Sequence, residues 1–366
     1  MRLITLSIIL AFSLIGCGDS SGGDAGTGGS DAKVVTLSHT YDALSLDVAS
    51  EISGTCQTWV LGNEEPLYVT RVRQTNDGGW HHSNWFFVPE EVYRPNPEAE
   101  GPDATIEGTW PCRDRNFREY IAAAAGGVFF AQSTQALGEQ QAFPAGAALE
   151  IPPHSAIVGS VHLLNISASR MESAMTMEVD TIARDEVEIR LTPFSFSNTS
   201  LEIPPAVDGV PTESRFSMTC DLTDVFEQNF GTVPTYNVYY VLAHYHEWGN
   251  FFNLSFTHED GSRETILELE NRVGEPIGKT IDPPMSNKGA KSITVDCGYI
   301  NNTDRTLEYG LGGQEMCVFL AYTDSNLKVG ASGDTNHKMG QDENGIHLNE
   351  TDCGPITGFK AYNDEF

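Results

Sequence analysis

Cysteine placement sets the tightest limit on how this 366-residue chain can fold. Of its seven cysteines, Cys17 closes the segment Met1-Arg-Leu-Ile-Thr-Leu-Ser-Ile-Ile-Leu-Ala-Phe-Ser-Leu-Ile-Gly-Cys17. A short basic start, an apolar run and the ending Leu14-Ile-Gly-Cys17 form the pattern of a bacterial lipoprotein signal, cut before a cysteine that becomes lipid-modified. The run is too short to span a membrane as a helix. Residues 1–17 are therefore expected to direct export and, through lipidated Cys17, to anchor the chain to the bacterial cell envelope, at the outer membrane or cell surface. Six cysteines remain: Cys56, Cys112, Cys220, Cys297, Cys317 and Cys353. An even number in an exported chain makes disulfides the default. They allow fifteen connectivities, and the pattern alone does not choose among them.

The stretch 18–33, Gly18-Asp-Ser-Ser-Gly-Gly-Asp-Ala-Gly-Thr-Gly-Gly-Ser-Asp and its continuation, is too poor in apolar side chains to pack and reads as a flexible tether. About 330 residues follow, enough for two domains of roughly 150 each. The junction is placed at Ser167 to Arg170, giving units 34–169 and 170–366, with the Pro-rich stretch Ile203 to Pro211 as the alternative. The pattern within them is mostly β. Tyr236 to Ala243 is dense in Val and Tyr, while Phe251 to Phe256 and Glu264 to Leu269 flank the turn His258-Glu-Asp-Gly-Ser262 as in a hairpin. One helix is expected around Arg118 to Ala125, stopped by Gly126-Gly127. The fold class expected is all-β, two tandem β-sandwich, jelly-roll-like domains. A net charge of −30, with no Lys/Arg cluster to offset it, excludes nucleic acid as a partner.

Histidines carry the chemistry. His244 and His246 lie in Leu242-Ala-His-Tyr-His-Glu-Trp-Gly249, and alternate residues of a strand share a face, so the pair can grip one ion. Met316, in Glu315-Met316-Cys317, offers a thioether as the third ligand; soft sulfur without thiolate charge favours Cu(I) over zinc. A second group comprises His81-His82, after the turn Asn76-Asp77-Gly78-Gly79, and His162 in the apolar run Ala156 to Ile166. Adjacent side chains of a regular strand point apart, so His81 and His82 share an ion only where the backbone leaves that geometry, which the turn would supply. His39, His154, His258, His337 and His347 have no comparable setting. A cupin carboxylate would stand several residues beyond the His-x-His pair rather than beside it, and no His-Glu-x-x-His is present.

These fragments, with Cys220 upstream of His244-Tyr-His246, Cys297-Gly-Tyr-Ile-Asn-Asn-Thr303 and Gly312-Gly-Gln-Glu-Met-Cys317, give the chain from about Cys56 to Cys353 a likeness in motif order. It resembles the copper type II, ascorbate-dependent monooxygenases, the family of peptidylglycine α-hydroxylating monooxygenase and dopamine β-monooxygenase. The resemblance implies two copper ions per chain and the pairings Cys56 with Cys112, Cys220 with Cys353, and Cys297 with Cys317. It implies one copper in each domain. His244, His246 and Met316 would hold the ion that binds O2 and removes hydrogen from an activated C–H bond of a small-molecule substrate. His81, His82 and His162 would hold the ion that relays an electron from ascorbate or an equivalent reductant.

Departures bear on the substrate. Where peptide-amidating members carry an arginine two residues before the His-x-His pair, and polar residues after Met-Cys, this chain has Leu242, Val318 and Leu320. A substrate carboxylate finds no bidentate partner there, so an apolar or aromatic substrate is expected. The alternative reading of the same residues is a non-catalytic copper-binding lipoprotein that buffers the metal or serves as an interaction module.

Overall fold

The computed structural model describes residues 33–94, 105–132, 136–223, 226–227, 231, 233, 235–270, 278–310, 313–354 and 357–360. The expected signal 1–17 with Cys17, and the tether up to residue 32, lie outside the described residues. The described chain is nearly all β, as the sequence pattern predicts. Strands Gly249–His258 and Arg263–Leu269 form the expected hairpin, and the short helix Glu119–Ala125 ends at Gly126.

Three sheets make up the bulk. A five-stranded sheet runs in the order Gly108–Pro111, Glu51–Val60, Ser155–Leu164, Trp80–Pro89, Gly127–Gln132. It faces the first part of a long sheet, strands Val35–Thr40, Met175–Ile182, Leu67–Asn76 and Ala147–Ile151. Between them Trp80, Trp85, Phe87, Val72, Leu149, Val161 and Met177 are buried in one cluster. The long sheet continues through strand Ile189–Asn198. Its first residues pair in parallel with Ala147 to Leu149, and its later ones pair antiparallel with strand Val318–Thr323. Strands Asn237–His244 and Gly278–Ser286 end this path, and Gly138–Ala142, Leu327–Gly333 and Thr357–Lys360 pair at its sides. This second part packs against a six-stranded sheet that includes Thr212–Asp221, Gly249–His258 and Ala290–Asn301, burying Phe194, Phe216, Phe252, Val295 and Phe319.

Strand pairing locates the changeover between the two cores. Met171–Ser173 and Met175–Ile182 pair with strands Leu44–Leu46, Leu67–Asn76 and Val35–Thr40, so strands from before and after residues 167–170 share sheets. Ile203 to Pro211 is instead a surface connection of the second core, beginning with the two-residue strand Glu202–Ile203.

Strand Asn237–His244 explains its own composition. Its register slips between Val238 and Tyr240, after which alternation sends Val241 and Ala243 into the second core and Tyr240 and Leu242 into the first. A strand buried on both faces reads as a continuous apolar run, here Val-Tyr-Tyr-Val-Leu-Ala. The same parity that aims Leu242 at the first core aims His244 toward strand Trp80–Pro89.

The disulfides are Cys56–Cys112, Cys220–Cys353 and Cys297–Cys317, the pairs the resemblance implies. Cys297–Cys317 ties strand Ala290–Asn301 to the residue that follows Met316.

Candidate metal centre

Strand Trp80–Pro89 turns two adjacent histidines to one place because its ladder slips. His162 faces His82, while the next residue, Leu163, faces Trp80. His81 is thus the extra residue of a β-bulge, which breaks the alternation of side chains. The sequence places the irregularity in the Asn76–Gly79 turn; the structure places it just inside the strand. The turn still delivers the chain, with Gly78 and Gly79 at φ 99° and 76°, backbone that glycine adopts without steric cost.

The second pair departs from expectation. Strand Asn237–His244 ends at His244, so His246 lies outside it. Glu315 is the physical reason. Its buried carboxylate accepts the backbone N–H groups of His246 (2.8 Å), Trp248 (2.8 Å) and Met316 (3.2 Å), replacing a strand neighbour with a side chain. Burial pushes the Glu315 carboxyl up to about 8 despite these three donors, which pull the other way. Met316 precedes strand Val318–Thr323 rather than lying in it, and its carbonyl accepts the Tyr299 hydroxyl at 2.6 Å.

All five histidines are buried, between 2 % and 5 % exposed, and they meet. Ring centroids stand 4.8 Å apart for His81 and His162, 4.8 Å for His82 and His162, 4.4 Å for His82 and His246, and 5.9 Å for His82 and His244. One ligand atom from each of His81, His82 and His162 falls within 4.8 Å of the others, and the same holds for His82, His244 and His246. The two ligand sets expected in separate domains therefore form one cluster with His82 in common.

Hydrogen bonds around the cluster leave nitrogens aimed inward. His162 Nε2 donates to Glu51 Oε1 at 2.8 Å, turning its Nδ1 to within 3.1 Å of His81 Nδ1. His246 Nδ1 donates to the Gln314 carbonyl at 2.8 Å. His81 Nε2 lies 3.8 Å from Glu247. His246 is held as metal-binding imidazoles are, its outer N–H fixed and its inner nitrogen without a partner, whereas the inner nitrogens of His81 and His162 share a hydrogen bond. Both ring nitrogens of His82, both of His244, and Nε2 of His246 are buried without a hydrogen-bond partner. Buried polar atoms are nearly always partnered, so a cluster of orphans marks a place for a ligand. Burial, and then neighbouring imidazoles, hold His82 well below the usual range; burial brings His244 to about 4 and also depresses His246 and His162. Neutral rings are what metal binding requires.

All six cysteines between 56 and 353 are in disulfides, so no thiolate stands among them, and the groups that could hold a metal ion are built from imidazoles. Glu51, Glu315 and Gln314 were not assigned roles by sequence reasoning. Glu315 lies inside the Gly312 to Cys317 fragment and His246 is followed by Glu247, but Glu51 reaches His162 across a strand pair that no sequence pattern reveals.

A cavity of about 400 Å³ opens on His244 and Met316. Asn84 and Phe86 line it from the same strand face as His82, and Leu242, Val318 and Leu320 line it opposite, with Ala123, Ala124 and Val128. Lys328, also on the wall, donates to the Gly126 carbonyl. The Glu119 carboxylate accepts from the Asn84 amide at 3.2 Å, and burial raises it to about 7.

No family model matches the chain, and no curated protein matches it. Among solved structures, the PBSX exported protein XepA is 11% identical over 78% of this chain and 86% of its own, with a TM-score of 0.18. A structure from the infectious bursal disease virus Gx strain is 9% identical over 80% and 73%, with a TM-score of 0.17. At these scores neither likeness carries an argument, and the cluster's own geometry supplies the evidence on function.

Proposed function

We propose that this chain is a copper-dependent monooxygenase, a relative of the ascorbate-dependent copper type II family, acting on a small apolar or aromatic substrate. One observation carries the reading: five imidazoles are buried together, three of them (His82, His244 and His246) with unpartnered nitrogens, beside an apolar cavity whose wall includes His244 and Met316. Copper held by His81, His82, His162, His244, His246 and Met316 would supply the redox chemistry, activating O2 and hydroxylating a C–H bond with electrons from ascorbate or an equivalent.

The chain's own groups do the rest. Leu242, Val318, Leu320 and Phe86 would hold an apolar body against His244 and Met316 and exclude water from it. Glu315 fixes His246 and Met316 relative to each other through two backbone N–H groups. Glu51 and the Gln314 carbonyl keep His162 and His246 in single tautomers. The three disulfides support an exported setting, and Cys17 would anchor the chain to the envelope membrane.

The test is product formation by the copper-loaded protein with O2 and ascorbate. A hydroxylated product formed in step with O2 uptake is expected. His244→Ala should abolish it, and His162→Ala should stop turnover while copper remains at His246 and Met316. A copper-binding lipoprotein without activity would instead lose occupancy in each variant and give no product from any form, the unsubstituted protein included. Uncoupled O2 uptake does not count, because exposed copper cycles without substrate.

A further inference from the structure

Two of the five imidazoles are tied back to the protein by hydrogen bonds of equal length and unequal charge. His162 Nε2 donates to Glu51 Oε1 at 2.8 Å, and His246 Nδ1 donates to the Gln314 carbonyl at 2.8 Å. A carboxylate holds the first ring; a neutral amide oxygen holds the second. Strand pairing brings Glu51 there. The ladder between strands Ser155–Leu164 and Glu51–Val60 passes from Val161 opposite Thr55 to Leu163 opposite Ile52, so His162 has no register partner on that side. Glu51 stands opposite Leu164, whose side chain shares a face with that of His162, and its carboxylate reaches His162 diagonally.

The charge of that acceptor acts through the ring. A carboxylate draws the Nε2–H proton toward itself and pushes electron density onto Nδ1, which makes Nδ1 a more basic ligand. Nδ1 is the atom on the cluster side, 3.1 Å from His81 Nδ1. A more basic nitrogen favours Cu(II) over Cu(I) and so lowers the reduction potential of the ion it holds. The Gln314 carbonyl anchors His246 without that charge, and the soft sulfur of Met316 favours Cu(I).

We infer that Glu51 is a positioning residue that sets the reduction potential at His81, His82 and His162: its negative charge, relayed through the His162 ring, stabilises Cu(II) there. The inference rests on the copper reading above and gives the ion of this group its own redox character. Reduction of that ion takes one electron and breaks no bond, and the Nε2 proton stays on His162. The Glu51 side chain is 45% exposed, so water screens part of its charge. The effect therefore belongs at the lower end of the roughly tenfold to hundredfold range typical of such partners. Glu247 is a second carboxylate facing the group, but it lies 3.8 Å from His81 Nε2, beyond hydrogen-bond reach, and acts less.

Redox titration of the full-length, copper-loaded protein tests this without turnover. Glu51→Gln keeps an acceptor oxygen and removes the charge. At the three-histidine group its Cu(II) affinity should fall about tenfold more than its Cu(I) affinity, a rise of about 59 mV for a one-electron couple. The ion marked by sulfur in X-ray absorption should keep its potential. Equal losses of Cu(I) and Cu(II) affinity would mean that Glu51 acts through geometry alone and would overturn the inference. So would an unchanged potential, or a larger shift in Glu247→Gln. Each of these results leaves the copper reading standing, whereas failure of the unsubstituted protein to bind copper overturns both. Proton magnetic resonance of the diamagnetic Cu(I) protein needs no substitution, so misfolding of a variant does not spoil the test. The His162 Nε2 proton should lie downfield of the His246 Nδ1 proton, and the reverse order would also overturn the inference.

Discussion

Glu315→Ala should be the most informative single change, because one carboxylate joins the turn carrying His246 to the segment carrying Met316. It accepts three backbone donors, two of them buried, at His246 and Met316, and one half-buried, at Trp248. A buried donor left without a partner costs about 1–3 kcal/mol, so the two buried amides lose roughly 2–6 kcal/mol and Trp248 adds less, since water reaches it. Against this, alanine removes a carboxyl group that the fold desolvates strongly enough to raise it to about 8. The net expected is a loss of roughly 3 kcal/mol, a large part of a typical domain's 5–15 kcal/mol. Glu315→Gln keeps one acceptor oxygen but turns an NH2 toward the remaining donor, so it should cost less than alanine. Urea unfolding of the metal-free protein measures both, and hydrogen exchange at His246, Trp248 and Met316 shows whether those amides have opened. An alanine variant within about 1 kcal/mol of the parent, or a glutamine variant less stable than alanine, would refute the argument.

In the metal-free protein, burial lowers His244 from 6.5 to about 4, so the unfolded chain binds the extra proton first. Its stability contribution is complete above pH 6.5 and is lost as pH falls toward 4, by about 3 kcal/mol; His244→Gln should flatten that part of the acid-unfolding curve. Gly159→Ala would set a Cβ 2.3 Å from the Trp85 ring, and calorimetry should show a loss of about 1–3 kcal/mol from overpacking; a neutral result would mean the two strands separate easily. Replacing Cys297 and Cys317 together with serine opens a cross-link 20 residues apart in sequence, expected to cost about 3 kcal/mol. X-ray absorption of the Cu(I) form of that variant should show a weakened sulfur component if the cross-link positions Met316.

How much of this was legible beforehand follows from which interactions are local. Alternation and apolar density announced strands such as Gly249–His258 and Arg263–Leu269, because a half-buried pleat imposes its period on neighbouring residues. The helix Glu119–Ala125 was equally visible, from an alanine run ended by glycine. Histidine pairs, a methionine beside a cysteine, and the evenness of six cysteines named the site's ingredients, since residue type limits metal and redox chemistry before any folding.

Tertiary structure decided what those ingredients become. The bulge at His81 is a matter of register against His162, a strand about eighty residues away, and no local pattern encodes it. His246 left its expected strand because a carboxylate 69 residues on captured its backbone. Strands from 171–182 pair with strands more than ninety residues earlier in the chain, a pairing that no local pattern displays. The two ligand groups met at His82 because strand Ile189–Asn198 carries the long sheet from one core into the other. Sequence determines which side chains are available and their local period; only the pairing of distant strands determines which nitrogens face one another.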